Sequence, residues 1–325
     1  MATYITEKMS NSLEELIFAR HNEVESDELQ IVSGYIGPQP IKQLAELPIR
    51  SKVVFGMYKD QGIQKSLHTQ VLNFQTEKTQ IFYSNQLVHT KLYIWKYRGE
   101  TVSALIGSAN FSTNGLRTEF REMLMDVPVS NFNSIAHYSN TVFQNTISCL
   151  EHKFIEKEEI TEEYDLEVCD LTLLDPRTGE THNAHGLNWG MNPNNHTVKG
   201  DACIPIRVEH IRKYPNLFYP KTGFSIIEGG KEQRQNDPVD VIFDDETTMI
   251  CNFEGNNYPY GKNNQVYPKQ LTSWPNKASF GDYFRKRLGV PQDQPVRKHH
   301  LDSYGRTSIE LSLVSEGVYF IDFSN

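Results

Sequence analysis

Hydrophobic positions recur along the first half of the chain in two rhythms. NSLEELIFA and QPIKQLAEL repeat apolar residues at helical spacing, with Pro40 suited to a first helical turn. LQIVSGYIG, SKVVFGMY, KTQIFYSN, TKLYIWKY, VSALIGS and EMLMDVPV are short and rich in β-branched and aromatic residues, which predicts strands. GIQKSLHTQVLNFQ and NFNSIAHYSNTVFQNTISCL predict helices. Strands alternating with helices predict an α/β sandwich. The second half changes character. GLNWGMNPNNHTVKGDACIPIRVEHIRKYPNLFY, DPVDVIFDDETTMICNFEGNN, QVYPKQLTSWPNKASFGDYFRKRLGV and YGRTSIELSLVSEGVYFIDF hold short β-patterned runs between Asn, Gly and Pro clusters, which predicts a barrel or curled sheet.

At 325 residues the chain exceeds the ~250–300 at which a single core stops growing, so two domains are expected. Charge marks the boundary. Of a net −9, nearly all lies in residues 151–180, with 11 acids against 3 bases; residues 1–150 hold 14 acids and 13 bases, and residues 181–325 hold 16 of each. The division is therefore a first domain over 1–150, an acidic linker over 151–174 and a second domain over 175–325. An overall acidic balance argues against a phosphate-rich partner, yet this distribution leaves two near-neutral flanks able to carry basic faces. The linker reads as a solvated spacer, or as an acidic mimic resting in a phosphate-binding cleft through Glu158, Glu159, Glu162 and Glu163. No apolar run approaches the ~20 residues of a membrane span, and MATYITEKMS lacks the apolar core of a secretory signal, so a cytoplasmic location is expected. Cys149, Cys169, Cys203 and Cys251 stand far apart with no C-x-x-C pair and are read as reduced, buried thiols.

Candidate chemistry concentrates in HTKLYIWKYRGETVSALIGSANFS, from His89 to Ser112. Residues two apart in an extended strand point the same way, so His89 and Lys91 share a face, as do Ser108 and Asn110 at the end of the next strand. If the strands are neighbours, an imidazole, an ammonium, a hydroxyl and an amide converge. Those groups suit a phosphodiester: a nucleophile that also handles a proton, with a cation and neutral donors for the non-bridging oxygens.

H-x-K followed by a G-S-x-N turn resembles the phospholipase D superfamily signature, carried here by His89, Lys91, Gly107, Ser108 and Asn110. The superfamily's usual acid five residues after the lysine is replaced by Lys96. This departure leads away from the lipases towards single-motif nucleases, in which an acid beyond the turn orients the histidine. Glu122 matches that position best, with Glu119 in reserve. The resemblance implies a mechanism with two histidines, and a chain with one copy of the motif then has to dimerise.

GLNWG, ACIPI, SFGDYFRKRLGV and YGR, in this order, resemble the carboxy-terminal half of NgoFVII-type restriction endonucleases, a pseudobarrel akin to the plant B-three transcription-factor domain. With the first half, the resemblance covers nearly the whole chain. It implies an α/β phospholipase D-like nuclease domain followed by a mainly-β pseudobarrel DNA-binding domain. It further implies a homodimer formed through the catalytic domain that cuts double-stranded DNA at specific sequences and needs no cofactor and no metal. Two polar loops supply candidate DNA contacts, because amides and bases read base edges while aromatics pack on sugars: Asn188, Trp189, Asn192, Asn194 and Lys199 in one, Asn256, Asn257, Tyr258 and Lys262 in the other. Arg285 and Arg287 extend this set, since residues 281–306 hold six bases against three acids.

Other readings stay open. Asp126, Glu151 and Lys153 can be assembled into an E-x-K metal-dependent nuclease site. GNNYPYGKN from Gly255 resembles a phosphate-binding loop, but its glycine spacing is too long and Asn263 stands where Ser or Thr would hold magnesium. The chain also fits a non-specific nuclease or lipid phosphodiesterase of the same superfamily, or a DNA-binding module whose catalytic half is degenerate. A separate methyltransferase or ATPase remains a possible partner.

Overall fold

In a computed structural model, residues 3–5, 12–118, 121–153, 167–191, 197–221, 226–228, 231–233, 236–262 and 264–325 are described. The chain divides into two compact units, one of Met1–Glu162 with Val314–Gly317, the other of Glu163–Leu313 with Val318–Asn325.

The first unit runs β1 (Thr3–Ile5), α1 (Leu13–Ala19), β2 (Glu28–Ser33), α2 (Pro38–Leu44), β3 (Arg50–Phe55), α3 (Tyr58–Gln61), α4 (Lys65–Phe74), β4 (Thr79–Ser84), β5 (Lys91–Tyr97), β6 (Glu100–Gly107), α5 (Thr113–Arg117), β7 (Met123–Asp126), α6 (Phe132–Gln144) and β8 (Thr146–Ser148). Among the described residues its strands form one sheet in the order β1-β7-β6-β5-β2-β3-β4-β8. β2, β3 and β4 pair in parallel through helical crossovers, while β5 joins β2 antiparallel. Every residue of β2 is buried, as a strand covered on both faces requires. Pro38 and Pro40 lie in the first turn of α2, and Ser12 caps α1 by accepting from the Glu15 amide at 3.1 Å. Beneath α6, Val32, Val54, Leu92, Ile94 and Ala104 pack with Phe132, Ile135 and Phe143.

One predicted helix is too long. The pattern from Asn131 to Leu150 reads as helical throughout, yet α6 stops at Gln144 and Thr146–Ser148 pairs with β4 instead. An open sheet edge offers backbone partners that a helical preference among a few β-branched residues does not outweigh.

The second unit runs β9 (Val168–Thr172), β10 (Ile204–Pro205), α7 (Val208–Lys213), β11 (Ile226–Glu228), β12 (Lys231–Gln233), β13 (Asp237–Phe243), β14 (Thr248–Glu254), β15 (Gln270–Ser273), α8 (Ala278–Leu288), α9 (Lys298–Tyr304), β16 (Ser308–Ser315) and β17 (Val318–Asp322). Its main described sheet has the order β10-β15-β14-β13-β17-β16-β9, with β10-β15, β15-β14, β14-β13 and β16-β9 antiparallel and β13 parallel to β17. The core contains Phe218, Phe253, Phe280, Phe284, Tyr319 and Phe323. Residues 168–172, assigned from sequence to the spacer, form β9 and pair with β16, so this part of the expected linker belongs to the sheet. Glu158, Glu159, Glu162 and Glu163 lie outside the described residues. All four cysteines are buried thiols, and no helix among the described residues is long and apolar enough to cross a membrane.

Arg287, expected to face DNA, is committed to this fold. Its guanidinium spans both oxygens of Asp244 at 2.6 and 2.8 Å, donates to the Phe323 carbonyl at 3.0 Å and to the Tyr283 hydroxyl at 2.8 Å, and lies over the Tyr304 and Phe323 rings. A bidentate pair this well enclosed leaves a buried carboxylate stranded when the arginine is removed. Arg287→Ala is expected to lower the unfolding free energy of this unit by about 3 kcal/mol in urea titrations. An unchanged transition, with weakened DNA binding in its place, would return Arg287 to the surface set.

Candidate active site

The sheet order sets β2, β5 and β6 side by side, with Val32 opposite Leu92 and Lys91 opposite Gly107. The end of β2, the start of β5 and the turn after β6 therefore meet at one edge. Gly34, just past β2, marks the meeting point: a Cβ added there would lie 2.6 Å from His89 Cδ2, 3.2 Å from Lys91 Nζ and 3.2 Å from Asn110 Oδ1. An imidazole, an ammonium and a carboxamide thus crowd the same few ångströms. A side chain at residue 34 would displace the imidazole.

His89 is exposed, in the unpaired stretch that precedes β5, whereas Lys91 is almost fully buried. The Lys91 ammonium donates to the His89 carbonyl at 2.7 Å, which ties the two motif positions together. Burial pulls its pKa below the ordinary lysine value, and the Glu316 and Glu122 carboxylates pull the other way. Asn110 Oδ1 accepts from the Tyr35 amide at 3.1 Å and sits 3.5 Å from Ser33 Oγ. With its oxygen so engaged, the side chain presents its NH2 as the end able to donate to an anion. Ser33 also joins β2 to the turn, donating to the Tyr35 carbonyl at 2.5 Å and accepting from the Phe111 amide at 2.8 Å.

The turn is held from below and behind. The buried Tyr93 hydroxyl donates to the Ala109 carbonyl at 2.8 Å, and Gly115 of α5 lies so close that a Cβ would meet the Asn110 carbonyl at 2.4 Å. Gly107 allows an equally tight approach to the Met123 carbonyl. Ser108 is exposed, and its hydroxyl accepts from the Met123 amide at 3.2 Å, which leaves its own hydrogen to donate. Glu122 precedes β7, its side chain 13% exposed, and pairs with Arg121 Nε at 3.3 Å. Glu119 lies outside the described residues.

Lys96, in the superfamily's acid position, is far along β5 from this point. It pairs in register with Glu28, whose carboxylate also meets Lys52 Nζ at 3.1 Å. Asp126 and Glu151, the carboxylates of the alternative metal site, have structural partners: Asp126 meets Arg20 at 2.5 Å, and Glu151 accepts from the Ser148 amide at 3.3 Å. Among the described residues, no three His, Cys, Asp or Glu side chains gather into a metal-ligand set.

In the second unit the expected DNA contacts separate into two groups. Asn188 is buried, donating to the His182 and Val296 carbonyls at 2.9 and 2.8 Å and accepting from the Val296 amide at 2.8 Å. Arg285 is fully buried, donating to the Leu187 carbonyl at 2.9 Å. Asn257 donates to the Ile206 and Pro268 carbonyls at 2.8 and 3.1 Å. Asn188 and Arg285, like Arg287, are buried in the fold, which corrects the expectation that they meet DNA, while Asn257 is half-buried and gives its NH2 to the fold. Lys199, Asn256, Tyr258 and Lys262 are exposed, and Trp189 is half-buried with Lys277 Nζ 4.9 Å above its ring. Arg212 donates to the Pro259 carbonyl at 3.0 Å, and Lys221 to the Gly255 carbonyl at 3.2 Å, so the loop bearing Asn256, Tyr258 and Lys262 is braced from below. Asn192 and Asn194 lie outside the described residues.

Ser33, Gly34 and Tyr35 are absent from the residues singled out by sequence. Their signal is weak: a Ser-Gly-Tyr step closing the apolar run LQIV, where glycine after a strand marks a close backbone approach. Gly34→Ala puts a methyl group where the imidazole now lies. DNA cleavage is expected to fall about 100-fold or more with the unfolding transition nearly unchanged, measured on the full chain. Cleavage at the wild-type rate would show that the three side chains need no such proximity.

The comparisons with known proteins agree with this architecture. Residues 11–157 match the NgoFVII restriction endonuclease N-terminal PLD domain, and residues 161–315 match the NgoFVII C-terminal B3-like DNA-binding domain. No curated protein matches the chain. Among solved structures, NucT from Helicobacter pylori is 14% identical with a TM-score of 0.31, over 41% of this chain and 87% of its own. Nuc from Salmonella typhimurium, a phospholipase D family member, is 12% identical with a TM-score of 0.35, over 45% of this chain and 97% of its own. The chain belongs to the NgoFVII restriction endonuclease family, with a phospholipase D-like nuclease domain followed by a B3-like DNA-binding domain.

Proposed function

We propose that this protein is a homodimeric, sequence-specific DNA endonuclease that hydrolyses phosphodiesters through a covalent phosphohistidine without a metal. The observation that carries this reading is the convergence of His89, Lys91 and Asn110 on the bare Gly34. Such a cluster suits a tetrahedral anion and offers it a nucleophilic nitrogen. In a dimer the two His89 side chains share one scissile phosphate. One imidazole attacks phosphorus; an N–P bond forms as the P–O bond to the leaving oxygen breaks, and the partner's His89 gives that oxygen its proton. The partner's His89, now neutral, takes a proton from water, which attacks phosphorus and breaks the N–P bond, so both side chains return to their starting states. Lys91 neutralises the pentacoordinate charge, Asn110 and Ser108 donate to the same oxygens, and Glu122 holds the imidazole in its reactive tautomer. The lysines and the imidazolium supply the positive charge that metal ions supply in two-metal nucleases.

Sequence reading is assigned to the second domain, through Lys199, Asn256, Tyr258 and Lys262, with Trp189 as an apolar contact. Lys96 does not weaken the catalytic reading, because it lies towards the opposite end of β5 from Lys91, paired in register with Glu28 of β2. A degenerate nuclease half would more readily have lost a member of the Gly34 cluster.

Plasmid digestion in excess EDTA is expected to give discrete bands. His89→Ala is expected to lower cleavage by at least about 10³-fold with specific DNA binding retained, and mixed dimers of wild-type and His89→Ala chains to be inactive. Activity lost in chelator and restored by magnesium would overturn the phosphohistidine mechanism, and a smear in place of bands would overturn site specificity.

A further inference from the structure

Tyr35 follows Gly34 at the end of β2 and is half-buried. Its ring stands edge-on to the His89 imidazole, with centroids 5.9 Å apart and planes at 83°. The Phe55 ring lies 6.5 Å away, and the Tyr35 hydroxyl accepts from Gln61 Nε2, on α3, at 2.9 Å. Both of its main-chain groups are bonded, the amide to Asn110 Oδ1 and the carbonyl to Ser33 Oγ. Tyr35 is therefore a fixed wall. His89 is the opposite, an exposed side chain on a stretch without strand pairing, whose ring meets Gly34 and Tyr35 at the end of β2.

An imidazole that attacks phosphorus has to keep one nitrogen aimed at the phosphate, and a ring turning freely about its bonds is aimed only part of the time. The geometry points to Tyr35 as a positioning residue that sets the plane of the His89 imidazole, a role resting on the reading of His89 as the nucleophile. The contact is with the aromatic ring, whose edge and face carry opposite partial charge and so favour a perpendicular neighbour. The hydroxyl has a different task. Burial raises its pKa above the ordinary tyrosine value, a shift that the Gln61 hydrogen bond partly offsets, so it stays protonated near neutral pH. It anchors the ring to α3.

Single-turnover cleavage by full-length Tyr35→Phe and Tyr35→Leu, read beside wild type and His89→Ala, tests this assignment. Tyr35→Phe keeps the ring and is expected to cut within about threefold of the wild-type rate. Tyr35→Leu keeps apolar bulk without the ring and is expected to cut about tenfold or more slowly, with DNA affinity unchanged. The NMR signals of the His89 ring give a readout independent of activity: the ring-current shift from Tyr35 is expected to survive in the Phe variant and vanish in the Leu variant. A Leu variant as fast as wild type overturns the proposal, and a Phe variant as slow as Leu overturns it in favour of the hydroxyl. Full activity in His89→Ala removes the nucleophile reading on which the proposal rests, an outcome separate from either Tyr35 result.

Discussion

The proposed catalytic arrangement depends on one close approach, in which the end of β2 comes so near the start of β5 and the turn after β6 that a side chain at residue 34 would displace the His89 imidazole. Several local features serve this approach. Gly107 lets β6 lie tight against β7, Gly115 lets α5 lie against the main chain of Asn110, and the Ser33 hydroxyl bridges the strand end to the turn. Such contacts fix groups that would otherwise cost entropy to order when a phosphate arrives. The Lys91 ammonium is already bonded to the His89 carbonyl, and the Asn110 oxygen is already spent on Tyr35. Lys91 and Asn110 are thus held in place before any ligand binds, as electrostatic stabilisation of a transferring phosphoryl group would require.

The second domain shows how poorly residue type separates architecture from recognition. Arg285 and Arg287 are cations in a basic segment, yet Arg285 is buried with its Nη2 on the Leu187 carbonyl and Arg287 is paired with the Asp244 carboxylate. Desolvating a guanidinium without such partners is expensive, so burial of this kind commits the side chain to the fold. The side chains left exposed on the two polar loops are fewer, and the loop that carries Asn256, Tyr258 and Lys262 is braced by Arg212, Lys221 and Asn257. A rigid loop of this kind presents its polar groups at little entropic cost.

Much of this organisation was legible in the sequence, for identifiable reasons. Period-two spacing set His89 beside Lys91, and both lie against Gly34 with Asn110, whereas the Ser108 hydroxyl meets the Met123 amide; the alternation of strands and helices framed them. Ser33, Gly34 and Tyr35 were not legible, because they lie more than fifty residues before His89 in the chain and only the pairing of β2 with β5 brings them there. Thr146–Ser148 became a strand for a similar reason, the availability of an open edge on β4. Arg285 could have been read better. Gly281, Phe284, Arg285 and Leu288 fall at the i, i+3, i+4 and i+7 spacing of one helical face, and in α8 all but Leu288 are fully covered. Asn188 was misjudged because an amide that suits a base edge suits a main-chain carbonyl equally well.

The central claim is that the phosphoryl group passes through His89 before it reaches water. Two in-line displacements restore the original arrangement at phosphorus, whereas a single attack by water inverts it. The most direct measurement is therefore the stereochemical course of cleavage of a DNA duplex bearing one chiral phosphorothioate at the scissile position, hydrolysed in isotopically labelled water. Retention of configuration is expected. Inversion would show that water attacks phosphorus directly.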